Sequence, residues 1–308
     1  MYNQLDVNQG QEQAGFRKGR STIDQIFIIN QLLEKSNEYK LPLYILLIDF
    51  QKAFDSVHLS YLWNALNEQG IQAKYIKILR NIYKIAEGRV KTDKVGQKFR
   101  IKKGVKQGDP LSPNLFNCIL ESVFRKLNWG ERGVEVDGVK LSNLRFADDV
   151  ALIAQNKEEI QQMAEELKVA GQEAGLLINT KKTVLLSNNM EETRIILNGE
   201  EVARSDEAIY LGQIIAVSDS LEREVKRRKA KAWGSYWRLK NVFKGKFSQD
   251  LKKKIFESCV LPVLTYGAQS WALTERQLLG LARTQIAMER SMIGVRKKDR
   301  VRHQEVEN

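Results

Sequence analysis

Apolar positions along the first two thirds of the chain follow two different patterns. In Thr22–Lys40, Ile23, Ile26, Ile28, Leu32 and Leu33 recur at helical intervals. Leu43–Phe50, LYILLIDF, is instead a continuous apolar run of strand length, as expected for a strand covered on both faces, with Asp49 at its end. Further helices are predicted at Leu59–Gln69, Ala73–Ile85, Asn114–Leu127 and Lys157–Ala174. Val90–Lys102 reads as a hairpin with Gly96 near its turn, and Gly133–Val139 as a short strand pair around Asp137-Gly138. Gly104–Pro113 is a Gly/Pro-punctuated loop, and Ala208–Ile215 a short strand element. From Ser220 onward the pattern is helical, with Leu221, Val225, Ala232, Tyr236, Leu239 and Phe243 on one stripe. Two more helices follow at Gln249–Tyr266 and Glu275–Met292. The fold class is α+β: strands and helices mix over roughly the first 215 residues, and helices alone fill the rest.

One stretch conflicts with this pattern. Leu144–Gln155, LRFADDVALIAQ, sets Asp148 and Asp149 side by side in a run that is otherwise nearly all apolar. Adjacent carboxylates repel each other, and burying one without a partner is costly. Side chains alternate faces along a strand, so both aspartates can serve one site only from a tight turn. The stretch therefore reads as a hairpin with the aspartates at its tip. If its strands pair with Leu43–Phe50, Asp49 joins them and three carboxylates meet at one sheet edge. Oxygen-only ligation suits Mg²⁺ or Mn²⁺. Two such ions would activate a nucleophilic oxygen and stabilise the leaving oxygen of a phosphoryl displacement. The competing reading is a surface turn with two solvated aspartates.

Composition narrows the choice. Hydrophobic residues make up 43% and charged residues 29% of 308, with only 4 prolines, as expected of a folded soluble chain. The net charge of +12 is uneven: Leu221–Arg302 carries 21 Lys and Arg against 7 Asp and Glu, whereas the remainder carries 29 against 31. An acidic core with a basic, nucleic-acid-facing appendage is expected. Cys118 and Cys259 lie in apolar surroundings without a CxxC or a Cys/His cluster, and are expected to be reduced core residues. The N-terminus is polar and no apolar run reaches the roughly 18 residues of a membrane span. The expected setting is therefore intracellular, in nucleus or cytoplasm, with no membrane partner. No oligomeric state follows from the sequence.

Three motifs then combine: IDFQKAFDSV (Ile48–Val57), GVKQGDPLSPNLFN (Gly104–Asn117) and FADD (Phe146–Asp149). In order and spacing they resemble motifs A, B and C of reverse transcriptases, particularly those of non-LTR (LINE-type, RTE-like) retrotransposons. QAGFRKGRSTIDQI (Gln13–Ile26) resembles the segment before motif A. GLLINTKKTVLL (Gly175–Leu186) resembles motif D, and IYLGQII (Ile209–Ile215) motif E, the primer grip. Val260–Gly294 resembles the helical thumb of this group.

The resemblance implies a right-hand polymerase: partial fingers at 1–40, palm with motifs A to E at 41–215, and a basic helical thumb at 216–308. It implies RNA-directed DNA synthesis, with an RNA template, a DNA primer and dNTPs as partners and Mg²⁺ or Mn²⁺ as cofactor. Asp49, Asp148 and Asp149 would be catalytic and hold metal together with the Phe50 carbonyl. Phe54 would stack under the incoming sugar, Gln107 and Gly108 would bound the nucleotide pocket, and Lys181 or Lys182 would approach the triphosphate. Leu211 and Gly212 would hold the primer end. Arg17, Arg20, Lys226, Arg227, Arg228, Lys229 and Lys231 would contact nucleic acid. Trp233, Tyr236 and Trp237, interleaved with those cations, could stack on bases, although their spacing also suits a core. Family members carry fingers upstream of QAGFRKGR, where only 12 residues stand here, and continue past the C-terminus. The chain is therefore expected to be truncated at both ends. The alternative expectation is an element remnant that only binds nucleic acid.

Overall fold

The computed structural model describes residues 1–189, 194–218, 220–295 and 299. The chain divides into two compact units, Met1–Leu211 and Gly212–Asn308.

The first unit is organised by a five-stranded sheet. In chain order its strands are β1 (Tyr44–Ile48), β2 (Asn143–Phe146), β3 (Asp149–Ala154), β4 (Val184–Ser187) and β5 (Ala203–Arg204). They lie in the order β5-β4-β1-β3-β2. β1 is central and antiparallel to both neighbours, with Ile48 opposite Val150 and Leu47 opposite Val184. Its position explains the unbroken apolar run: Ile45 and Leu46 are fully buried, as are Leu152 and Ile153 on β3. Burial of both faces removes the alternation that a half-exposed strand would show.

Helices Leu59–Glu68, Ser112–Arg125 and Lys157–Ala174 build the core over this sheet. Ser112–Arg125 is buried on nearly every side, from Leu115 through Phe124. It begins two residues before the expected start because Pro113 fits a first helical turn, where its missing N–H costs nothing. Helix Thr22–Glu38 opens with a capping box, in which Ser21 accepts from the Asp24 N–H and Asp24 accepts from the Ser21 N–H.

Of the two-stranded ribbons outside the sheet, two correspond to hairpins expected from the sequence. Val134–Val136 pairs with Val139–Leu141 across Asp137-Gly138, both at positive φ, as the sequence predicts. Glu87–Lys91 pairs with Val95–Arg100. Its turn falls at 92–94, so Gly96 lies in the second strand and not at the turn.

Among its described residues the second unit is helical apart from strand Gln213–Ala216. Helices Ser220–Arg238, Gln249–Cys259 and Glu275–Ile293 enclose a core of Ala232, Tyr236, Phe243, Phe256, Val260, Leu264 and Met288. The expected stripe is therefore real, with Leu221 and Leu239 at its half-buried edges. The helix expected over Gln249–Tyr266 breaks at Val260, and Leu261–Leu264 continues separately with Pro262 in its first turn. Cys118 is a buried free thiol whose pKa burial pushes up to about 12. Cys259 is free but exposed, not a core residue, because it ends its helix on the solvent side. Among the described residues no helix is long and apolar enough to cross a membrane.

Candidate active site

Phe146 pairs with Asp149 across a two-residue turn, so Asp148 occupies the hairpin tip and Asp149 starts β3. Ile48 opposite Val150 then brings Asp49, one residue past β1, beside the tip. The charge of Asp49 reaches the carboxyls of both Asp148 and Asp149. The Asp148 carboxyl is raised above its ordinary value, first by loss of water and then by the Asp49 charge. Asp149 is pushed up to about 6 by loss of hydration, then by Asp148 and Asp49. Asp149 as a residue still keeps solvent contact, while neighbouring atoms crowd water away from its carboxyl.

The tip is held in an uncommon conformation. Ala147 has φ +57, a left-handed value that side chains disfavour. The amide oxygen of Gln13, fully buried, accepts from the N–H of Ala147 at 3.0 Å and from the N–H of Gly15 at 2.8 Å. Asn117 fixes Gly15 in turn, donating to its carbonyl at 2.8 Å. The segment before Gly15 runs along β2: Ala14 N–H donates to the Arg145 carbonyl and Arg145 N–H to the Glu12 carbonyl. A Cβ on Gly15 would lie 2.2 Å from the Ala147 nitrogen, so only glycine allows this approach.

Arg145, 3% exposed, lies directly behind the tip and pairs with Glu121 and Glu12, each at 3.2 Å. Sequence reasoning did not single out Gln13, Asn117 or Arg145. The signal was present as complementary charges in two apolar runs, Arg145 in LRFADD and Glu121 in CILESVF.

Asp49 is also held from the other side. Its carbonyl accepts from the Asn179 N–H at 2.7 Å, and Phe50 bridges to Ile178. A cavity of about 330 Å³ opens at this edge, lined by Asp49, Asp149, Lys182, Glu207 and Tyr210 among others. Lys182 reaches it, whereas Lys181, also exposed, is not part of its wall. Tyr210 is buried, donates to Gln25 at 3.2 Å, and has its phenol raised by burial and by Asp149.

Phe54 sits in the short helix Ala53–Ser56, stacked on Phe116 at 4.5 Å with Phe16 edge-on at 6.3 Å. It stays half-buried and does not line the cavity. The loop carrying Gln107 and Gly108 is tied to this helix, because Val105 N–H donates to the Phe54 carbonyl and Gly104 N–H to Val57. Both Gln107 and Gly108 are exposed.

Two of the residues expected to contact nucleic acid have internal partners instead. Arg17 is engaged by Asp6 at 2.9 Å and by the Gly10 and Gln13 carbonyls. Arg228, 5% exposed, pairs with buried Glu224 and the Gly212 carbonyl and lies over the Tyr266 ring. Arg228 is corrected to a structural role, because a buried, paired guanidinium cannot also meet a phosphate, whereas Arg17 is half-buried. Arg227 shares Glu224 and Gly212 with its neighbour but is more open. Arg20, Lys226 and Lys231 are exposed, and Lys229 is half-buried. Leu211 closes the first unit at φ +45 and Gly212 opens the second at φ +80. Tyr236 is core; Trp237 is half-exposed and stacks on Trp233 at 6.0 Å.

Oxygen donors of this kind fit Mg²⁺ or Mn²⁺. Among the described residues no ion pair joins Asp49, Asp148 or Asp149, and loss of hydration, then the neighbouring carboxylates, raises the carboxyls of Asp148 and Asp149. Among the described residues no three side chains converge closely enough to enclose an ion by themselves.

A mixed sheet with an acidic edge, followed by a helical unit, is the α+β fold of a right-hand polymerase. Apo telomerase from Candida tropicalis has the same fold, with a TM-score of 0.54 at 15% identity over 95% of this chain and 49% of that one. The chain belongs to the reverse transcriptase (RNA-dependent DNA polymerase) family, whose model matches residues 1–215. A transposon-derived protein of Caenorhabditis elegans is 35% identical over 171 residues, covering 53% of this chain and 60% of that protein. The Pol polyprotein of the non-LTR element R2 from Nasonia vitripennis is 30% identical over 186 residues, covering 59% of this chain and 18% of the polyprotein. The chain thus spans less than two thirds of the length of these relatives.

Proposed function

We propose that this chain catalyses RNA-templated DNA synthesis, with residues 1–40 as partial fingers, 41–215 as palm and 216–308 as thumb. The observation that carries the reading is the β1–β3 register, which sets Asp49 beside Asp148 and Asp149 at one sheet edge. The oxygen of a primer 3′-hydroxyl attacks the α-phosphorus of a dNTP and gives up its proton to solvent, a new P–O bond forms, and the bond to the β-phosphate breaks with release of pyrophosphate. Asp49, Asp148, Asp149 and the Phe50 carbonyl would hold two Mg²⁺ or Mn²⁺ ions. Such ions, when bound, supply charge stabilisation at the attacking and leaving oxygens. Lys182, on the cavity wall, faces the triphosphate and offsets its charge. Phe54 underlies the sugar, Gln107 and Gly108 bound the base, and Leu211 with Gly212 hold the primer end. Positioning and electrostatics account for most of the rate. The rigid support of the tip by Gln13, Gly15 and Asn117 serves that requirement.

The test is primer extension on homopolymer RNA with a DNA primer, dNTPs and Mg²⁺ or Mn²⁺, with Asp148→Asn alongside. Extension by wild type and a loss of at least about 1,000-fold in the variant is expected, with hybrid affinity unchanged. Equal extension by both defeats the site assignment. No extension by wild type, with hybrid binding retained, establishes a nucleic-acid-binding protein instead.

A further inference from the structure

The near-neutral balance of the chain outside Leu221–Arg302 hides a second basic block. Residues 73–106 carry 12 Lys and Arg against 2 Asp and Glu, while the rest of that remainder carries 17 against 29. All twelve cations are exposed. Among the described residues only Lys98 has an ion-pair partner, Glu87 at 2.8 Å. So many like charges on one continuous segment repel one another, and a polyanion relieves that repulsion.

The centre of the block is the ribbon Glu87–Arg100. Glu87 faces Arg100, Gly88 faces Phe99 and Arg89 faces Lys98. Alternation along the strands puts Glu87, Arg89, Lys98 and Arg100 on one face and Gly88 with Phe99 on the other, and past a register shift after Arg89 the exposed Lys91 lies opposite Val95 beside the turn. The cationic face carries one carboxylate against three cations. On the opposite face the Phe99 ring lies over Gly88, so close that a Cβ there would sit 2.8 Å from Cζ. Phe99 is still 51% exposed and Val90 61%. Every position of the second strand is exposed.

The root of the ribbon is fixed where its reach matters. Gly104 N–H donates to the Val57 carbonyl at 2.8 Å and Val105 N–H to the Phe54 carbonyl at 2.7 Å. A Cβ on Gly104 would lie 2.7 Å from the Asp55 carbonyl oxygen. The ribbon therefore rises from the loop that carries Gln107 and Gly108. A strand of this length spans about 20 Å. Cations on one face and an open aromatic on the other match an unpaired strand, whose phosphates and bases point in different directions. A duplex turns its bases inward and has no use for the aromatic face.

We propose that the ribbon is a template arm: Arg89, Lys91, Lys98 and Arg100 hold the phosphates of single-stranded RNA beside the nucleotide pocket, and Phe99 stacks on a base. The identity of the strand rests on the polymerase reading. Binding is measured without synthesis, so the two readings fail separately.

The experiment compares the full chain with a variant carrying Arg89→Gln, Lys91→Gln, Lys98→Gln and Arg100→Gln. Fluorescence anisotropy follows a labelled single-stranded RNA oligonucleotide through a salt titration. The variant is expected to bind at least about 10-fold more weakly, with the slope of log K against log salt reduced by about 3, some 0.7 for each lost contact. Its thermal unfolding should match wild type, since the four side chains are exposed. Phe99→Ala is expected to weaken binding about 5-fold without changing the slope. Unchanged affinity and slope in the fourfold variant overturn the proposal. So does a loss confined to RNA–DNA duplex, or a shift in light-scattering mass with RNA affinity intact, which would mark the ribbon as a contact between copies.

Discussion

The hairpin Asn143–Ala154 and the ribbon Glu87–Arg100 are both antiparallel strand pairs in the first unit, yet they are held in opposite ways. The first has β1 beside it, Gln13 and Asn117 behind its turn, and four consecutive fully buried residues, Ala151–Ala154, in its return strand. The second touches the rest of the fold at its root and is solvated along its length. The difference follows from what each carries. Carboxylates that must meet a reacting phosphate tolerate little displacement. Cations that meet a phosphate backbone act over a Debye length and tolerate a good deal. Rigidity in this unit is concentrated where tolerance is smallest.

Gly15→Ala breaks the comparison most severely. Its Cβ would meet the backbone at Ala147 N and Phe146 C, at 2.2 and 2.9 Å, and neither can move without the turn. A destabilisation of about 2–3 kcal/mol is expected in urea unfolding, with extension about 100-fold slower. In the ribbon, Phe99→Ala should change stability by under about 0.5 kcal/mol. Comparable losses in both would mean that the ribbon is packed and the contrast is false.

Gln13→Ala acts at the same place by subtraction. It leaves the N–H groups of Gly15 and Ala147 without their acceptor in a buried setting. About 2 kcal/mol of stability should be lost, together with an order of magnitude in rate. A variant that loses rate but not stability would show that the turn is held by the sheet alone.

How far this contrast could be read in advance depends on the physical source of each part. The buried strand and the aspartate tip were legible, because uninterrupted apolar runs and period-two alternation leave few other arrangements, while the meeting with Asp49 followed only on the condition that the two strands pair. The support was not legible. Gln13 lies 134 residues from Ala147, and nothing in QAGF announces that its amide accepts from a distant turn. Arg228 was misread for a related reason: local charge density cannot show that Glu224, four residues away, and the Gly212 carbonyl already engage it. The ribbon was legible as a hairpin, but its charge was averaged away against acidic segments elsewhere. A charge count in short windows would have separated them.

The acidic edge also makes a prediction about pH. The Asp149 carboxyl, raised from 3.8 to about 6, holds its proton more tightly in the folded chain than in the unfolded one. The folded state then binds more protons between those values, so without divalent metal stability falls as pH rises from about 4 to 6 and stays low above. Because the residue is partly exposed, the loss is discounted to about 1 kcal/mol. Asp149→Asn should match wild type near pH 4 and exceed it by that amount at pH 7, in thermal unfolding with chelator present. Adding Mg²⁺ at pH 7 should raise wild type toward the variant and leave the variant nearly unmoved. A wild-type curve that rises through this window would remove the strained carboxylate from the account.

The smallest effect separates two neighbours that the sequence left equivalent. Lys182 lines the cavity with Asp49 and Asp149, and Lys181 does not. Both ammonium groups are exposed, so neither substitution should alter folding by more than a few tenths of a kcal/mol. If the cavity receives the triphosphate, Lys182→Ala should raise KM for dNTP about 5- to 10-fold with kcat little changed, since a charge that meets substrate and transition state alike is uniform binding. Lys181→Ala should shift KM less than about 2-fold. The difference between the pair is the informative quantity, because both variants remove one positive charge from the same surface. A general loss of attraction for nucleic acid or nucleotide would lower both equally. Only a triphosphate seated against the cavity wall would tell them apart, and equal responses would move the nucleotide away from the edge that Asp49 and Asp149 define.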